Sequence, residues 1–462
     1  MPGPTMVTTT NPMGRIGTKL VLLLLFLLYS RISDLIGFRA YIVLSLSLVV
    51  IFLSILSGAV ERALSSTVGK LLTAFTVWVL FTIPFSVWKG GSVQVLVGVW
   101  LKSFIFFVVV AGLIQGIDYC RKSMYIFAFA AVFVASVAHL QDYQIGERLS
   151  FETGRLANPN DLAYFLISSI PFSLLMTTEK SKGFRLGGWA ATALFLVISI
   201  RTGSRMGMIM IGTLLLAYFF KVSLGKKMLM MVTVCLLGVV AVAVSPEGVV
   251  ARYRTMFQDP EEVLASVDLT ENPEVAREVE MAAGSTGARL ALLKEGVRLA
   301  LEHPILGVGP GMFGVALAGD PRLKGTRLRY RQPHNTYTQL SSETGVPGLL
   351  LYGAALIYCL GKSYKMYKVT RVHRELQRVT NMAYHLWLSL FVFTVSGFFA
   401  SYAYDFTFPV LAGLLIAFER SFRIELTGYF QSHVAARQPS PAASPYPLAP
   451  SPGRGGKPLL SR

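Results

Sequence analysis

Apolar runs recurring along almost the whole chain, separated by short segments rich in lysine or arginine, limit what it can fold into more than any other feature. Twelve such runs lie near residues 18–33, 38–57, 70–87, 92–114, 122–139, 160–177, 187–201, 206–221, 228–245, 336–359, 382–401 and 404–420. A run of about 17 residues or more with few charges reads as a helix crossing a bilayer. Hydrophobic residues make up 53% of the chain and charged ones 15%, which argues against a single water-soluble domain. The fold predicted is all-α: a polytopic membrane protein with about twelve transmembrane helices and a long, partly helical extracytoplasmic loop. The first run is the weakest, because Arg31 and Asp34 interrupt its far end.

Charge orients the chain. With the N-terminus in the cytoplasm, the inner segments collect Arg15, Lys19, Arg62, Lys70, Arg121, Lys122, Lys180, Lys182, Arg185, Lys221, Lys226 and Lys227, then Lys362 through Arg378. The outer segments hold fewer: Arg31, Arg39, Lys89, Arg148, Arg155, Arg201 and Arg205. Anionic lipid and the membrane potential produce this bias in short loops. Both termini are then cytoplasmic. The formal charge of +18 is dispersed over alternate loops with no nucleic-acid-binding motif, so no nucleic-acid partner is expected. Cys120, Cys235 and Cys359 are too scattered for a disulfide framework or a zinc site. The first apolar run lacks a small-residue cleavage pattern and reads as a retained anchor.

Four regions follow: membrane helices one to nine over 1–245, an extracytoplasmic loop over 246–335, membrane helices ten to twelve over 336–430 and a proline-rich cytoplasmic tail over 431–462. The loop has 12 acidic and 11 basic residues, acidic first and basic last. Within it ARLALLKEGVRLALEHP, residues 288–304, predicts a helix with Leu290, Leu293, Val297 and Leu301 on its apolar side and Pro304 at its end. HPILGVGPGMFG, residues 303–314, lacks the lysine and hydroxyl residue of a phosphate-binding loop, and its glycines read as turns and close approaches. The tail reads as extended and without a domain of its own.

Arg205, Arg289 and His334 are distant in sequence but fall on the same outer side. Two arginines present fixed forks of donors that fit a phosphate, and a histidine accepts a proton near neutral pH. Together these groups suit binding of a lipid diphosphate and activation of an attacking hydroxyl, with the cations stabilising charge on the leaving phosphate. Each residue also has a plainer reading. An edge arginine anchors headgroups, a surface helix carries arginine routinely, and His334 can satisfy a local carbonyl while Asn335 caps the next helix. Arg155, in GRLANPNDLA, is either a third cation for the diphosphate or a group that orients the following helix. Lys102 is costly inside an apolar run and needs a polar cavity or partner. Glu343 lies about two and a half turns beyond His334 and defines no proton relay with it.

GRLANPNDLA (154–163), TGSRMG (202–207), GARLALLKEGVRLALEHPILGVGPGMF (287–313) and HNTYTQLSSETGVPGLL (334–350) resemble segments of the O-antigen ligase and polymerase superfamily. The resemblance covers roughly the second half of the chain. It implies transfer of a glycan from undecaprenyl diphosphate at the outer face of the bacterial cytoplasmic membrane, with no metal or cofactor. By position it assigns catalytic roles to Arg205, Arg289 and His334, the two arginines on the diphosphate and the histidine as general base. The acceptor is the lipopolysaccharide core for a ligase, or a second lipid-linked repeat unit for a polymerase. A lipid-linked glycan transporter, with a polar surface but no transfer chemistry, is the reading from a different class.

Overall fold

A computed structural model describes residues 12–32, 40–221, 224–243, 245–266, 273–326 and 328–437. The described chain is all-α except for one antiparallel pair of two-residue strands, β1 (Gln144–Ile145) and β2 (Arg148–Leu149), with Gln144 opposite Leu149. The first ten helices are α1 (Pro12–Tyr29), α2 (Ala40–Leu56), α3 (Ala59–Leu64), α4 (Thr67–Thr82), α5 (Lys89–Leu113), α6 (Ile117–Gln141), α7 (Pro159–Met176), α8 (Lys182–Arg201), α9 (Arg205–Phe219) and α10 (Leu224–Ala243). Four more, α11 (Glu247–Arg254), α12 (Pro260–Ala265), α13 (Pro273–Glu302) and α14 (Phe313–Gly319), form the long intervening segment. The last three are α15 (Thr336–Thr370), α16 (Gln377–Ser396) and α17 (Thr407–Arg437).

Each of the twelve apolar runs overlaps a helix, but the count of twelve membrane spans is corrected. Among the described residues five helices are long and apolar enough to cross a bilayer: Thr67–Phe85, Lys89–Leu113, Ile117–Gln141, Lys182–Arg201 and Thr336–Thr370. Three shorter apolar helices, Tyr41–Leu56, Arg205–Phe219 and Met231–Val240, bring the total to eight at most. The other runs differ for physical reasons. Asn160 and Asp161 open α7, Gln377 and Arg378 open α16, and α17 meets Glu419 and Arg420 soon after its apolar start. Every residue of α7 from Leu162 to Ser173 is buried, so this helix is surrounded by protein and needs no lipid-facing side. Outward Leu48, Phe52 and Ile55 on α2 and Leu80 and Phe81 on α4 give the bundle an apolar exterior, while Trp100, Phe75 and Tyr352 pack edge to face inside it.

The helix predicted over 288–304 is longer and turned differently. It starts at Pro273, because Val275 and Val279 recur four apart and bury themselves with Ala251 of α11 and Val263 of α12. Farther along, Leu292, Gly296 and Leu299 are the buried side, and Leu290, Val297 and Leu301 point outward. Helical spacing finds both stripes and does not say which one meets protein.

After α13 the glycine-rich turn folds against α15 and the start of α5. Val308 N donates to Ser342 O, Val87 N to Val308 O, and Val346 N to Pro304 O, at 2.8, 3.0 and 2.8 Å. The buried Glu343 carboxylate accepts from Gly311 N at 2.8 Å. A Cβ at Gly309, which has φ 108°, would stand 2.0 Å from Ser86 Oγ, and one at Gly345 would stand 1.9 Å from Ile305 O. These glycines serve close approach, and Glu343 ties down the turn. At the far end α17 continues to Arg437, past the expected boundary at 431, and the rest of the proline-rich tail lies outside the described residues.

Candidate functional site

The turn TGSRMG places the first candidate. Gly203 takes φ 61°, and Ser204 caps α9 by accepting from Gly207 N at 3.2 Å. Ser204 Oγ also donates to Asn160 Oδ1 at 2.9 Å, which fixes the turn to the start of α7. Two further arginines grip the turn's carbonyls: Arg148 Nε donates to Thr202 O at 2.9 Å and Arg252 Nε to Gly203 O at 3.0 Å. The Arg205 guanidinium reaches α13, donating to Ala282 O at 2.8 Å.

Arg289 follows Ala282 by about two turns of the same helix. Its Nε is buried and has no hydrogen-bond partner. Burial first, and the positive charge of Arg252 second, pull the Arg289 guanidinium below its ordinary pKa. Arg148 is lowered to about 10 by burial and then by Arg252. The carboxylate paired with Arg252 is Glu278, at 3.4 Å. Among the described residues neither Arg205 nor Arg289 has an ion pair with a carboxylate. A cleft of about 700 Å³ opens beside Arg205, and its lining includes the acidic residues Asp259 and Glu262 as well as Thr255, Gln258 and Thr286.

His334 sits where the long segment enters α15. Its φ of 52° is a left-handed conformation that a residue with a Cβ seldom adopts, and it is held there from both sides. His334 N donates to Ser401 Oγ at 3.0 Å, while Asn335 caps α15 by accepting from Tyr337 N and Thr338 N at 2.9 and 3.0 Å. Burial, then the charges of Arg289 and Arg331, push the His334 imidazole down to about 4. It is therefore neutral at pH 7 and able to accept a proton. Arg289 acts electrostatically on both Arg205 and His334, so the three candidates share one end of the bundle.

Arg155 stands apart in kind. It is ion-paired to the buried Asp405, and its guanidinium lies 5.9 Å from the Phe406 ring centre. Its plainer reading, orienting the start of α7, fits this pairing. Lys102 is exposed on α5. The sequence reading did not single out Arg148, Arg252 or Tyr402. Tyr402 donates to Asp161 Oδ1 at 2.7 Å and stacks on Tyr164 with ring centres 4.3 Å apart. The one signal for Arg252 is its place in VVARY, a small apolar patch in an otherwise charged segment.

Half-buried cations that repel one another and have no carboxylate partner suit an anionic ligand, because an anion relieves both the repulsion and the desolvation of each group. Arginine forks match phosphate oxygens two at a time. The molecule is thus a polytopic helical membrane protein with one polar end that brings together Arg205, Arg289 and His334.

Residues 190–353 match the family model described as O-antigen ligase, a segment that contains Arg205, Arg289 and His334. The match supports a place in the O-antigen ligase and polymerase superfamily. No curated protein matched the chain.

Proposed function

We propose that the chain is a glycosyltransferase of the O-antigen ligase type, which moves a preassembled glycan from undecaprenyl diphosphate to a hydroxyl of the lipopolysaccharide core. The observation that carries this reading is the pair Arg205 and Arg289, two cations with no carboxylate partner among the described residues, the second of which acts electrostatically on both the first and the neutral His334. In the step, the acceptor oxygen attacks the anomeric carbon from the face opposite the diphosphate. The carbon–oxygen bond to phosphate breaks, its electron pair stays on the phosphate oxygen, and the hydroxyl proton passes to the His334 imidazole. Attack from that face inverts the anomeric carbon. Arg205 and Arg289 orient the donor and hold the charge that develops on the leaving group, and the work is done by positioning and electrostatics without a metal. Arg155 is the weaker candidate for the diphosphate, since Asp405 already neutralises it.

The reaction belongs at the outer face of the bacterial cytoplasmic membrane, with residues 246–335 outside and both termini inside. Membrane-impermeant labelling of Asp320→Cys and Arg374→Cys tests this: the first should react from outside and the second only after permeabilisation. Incubation of the purified protein with lipid-linked glycan and lipopolysaccharide core should give a joined product by mass. A product formed only with a second lipid-linked repeat unit would make the protein a polymerase. Movement of the lipid across a vesicle membrane with no new bond would make it a transporter.

A further inference from the structure

The outward stripe of α13 has no partner within the described chain. Arg289, Leu293, Val297 and Leu301 follow one another four residues apart, so they fall along one side of the helix, with Leu290 beside them. Val297 is 47% exposed, Leu301 76% and Leu290 55%, although all three are large and apolar. This face is not a surface scattered with single leucines. It forms a track about 18 Å long, ending at an arginine.

The position of the helix says what the track borders. α13 and the opening of α15 run side by side in the same direction. Gly296 lies beside Thr338, where a Cβ would come within 3.1 Å, and eight residues on Pro304 O accepts from Val346 N. Val346 directly follows the kink at Gly345 of α15, a helix long and apolar enough to cross a membrane. The chain just past α13 therefore packs against a helix long and apolar enough to cross a membrane. Exposed Ile305, Val346 and Leu350 continue the apolar surface downward. Upward the stripe leads to Arg289, whose charge reaches both Arg205 and His334. On the other flank Arg298 is tied to Glu295, Glu302 and Asp320, so the charged side of the helix is already satisfied.

We infer that this stripe seats the polyprenyl chain of the lipid-linked donor, from the lipid-facing surface of α15 up to the diphosphate held at Arg289. The assignment rests on the donor named above and adds the path of its tail. The ligand that fits is an amphiphile with an anionic head and a long apolar body, since the surface offers a cation at one end and mainly apolar side chains along its length, with the exposed Lys294 beside Leu290 and Val297. Burying part of the chain on three exposed side chains adds affinity in proportion to the apolar area covered. The geometry also fixes direction: the tail points toward the interior of the membrane and the diphosphate toward His334.

The test compares binding of undecaprenyl diphosphate, geranyl diphosphate and inorganic pyrophosphate to the purified full chain, and to a triple variant Leu290→Gln, Val297→Gln and Leu301→Gln. All three side chains are exposed, so melting should stay at the wild-type temperature. The wild type should bind the long-chain diphosphate more tightly than the short one. The variant should lose about tenfold or more for the long chain only, the loss expected from removing roughly 60 Å² or more of apolar contact. Equal losses for all three ligands, or an undiminished preference for the long chain, would overturn the assignment. So would disappearance of the wild-type preference in excess phospholipid, which would make the stripe a general lipid contact. The measurement reads binding alone, so failure of glycan transfer would refute the proposed function and leave this result standing.

Discussion

The two polar ends of the helical bundle both hold ion-paired arginines and arginines bonded to backbone carbonyls, but in different settings. α6, α7 and α8 connect them, and α6 alone, with 25 residues, spans about 37 Å. At one end Arg121 bonds Glu179 at 2.9 Å and Asp118 at 3.4 Å, Arg378 bonds Asp118 at 2.6 Å, and Lys362 bonds Glu419 at 2.7 Å. At the other, Arg205 has a backbone carbonyl for a partner and Arg289 has a buried Nε with none. Satisfied pairs hold helices together. Among the described residues Arg62 and Arg420 at the first end also lack carboxylates. What sets Arg205 and Arg289 apart is a histidine on which Arg289 acts, and an anion bound there would offset the cost of the unpaired charge.

The largest expected effect lies at His334. His334→Gln should reduce turnover by about two to four orders of magnitude while leaving donor affinity near its wild-type value, because a neutral amide of similar size keeps the fold but accepts no proton at this step. Single-turnover transfer together with donor binding checks it, and unchanged turnover would remove the general-base role. The pH profile sharpens the same point. With the His334 pKa lowered to about 4 rather than at its ordinary 6.5, the base is in its active form throughout pH 5 to 7. The acid limb of kcat/KM, which reports the free enzyme, should lie near 4. A limb centred at 6.5 would mean that burial and Arg289 do not act on the base.

The opposite end should respond in stability and not in chemistry. Arg121→Met leaves Glu179 with Tyr125 as its remaining donor, and should cost about 1 to 3 kcal/mol in unfolding free energy while transfer per folded molecule is unchanged. Thermal melting in detergent and an activity assay on the same preparation separate the two. A collapse of transfer at full stability would break the contrast between the ends. The smallest effect is expected at Asn335→Ala, which removes the cap of α15 and should lower stability by about 1 kcal/mol, read as a modest fall in melting temperature.

Apolar runs made the helices legible, but not the number that meet lipid. α7 illustrates the reason: its run is apolar because protein surrounds it, and a buried helix and a lipid-facing helix draw on the same residues. The outer stripe of α13 was visible as a 3.6-residue period, yet its direction depends on where Gly296 permits contact with Thr338. Asn335 as a cap and the close-approach role of the glycines at 307–311 could be read locally, since caps and turns are decided within a few residues. Arg205, Arg289 and His334 could be grouped from the expected topology as a polar set on one side, and the resemblance then gave each a role. Arg252 stayed hidden because its role depends on the carbonyl of Gly203, distant in sequence and brought close by the fold.

The most direct test of the account is the affinity of the purified protein for undecaprenyl diphosphate, compared with that of Arg205→Lys and Arg289→Lys. Lysine keeps the charge and loses the fork, so each variant should bind about tenfold or more weakly at the same melting temperature. Wild-type affinity in both variants would contradict the claim that these two arginines hold the departing diphosphate.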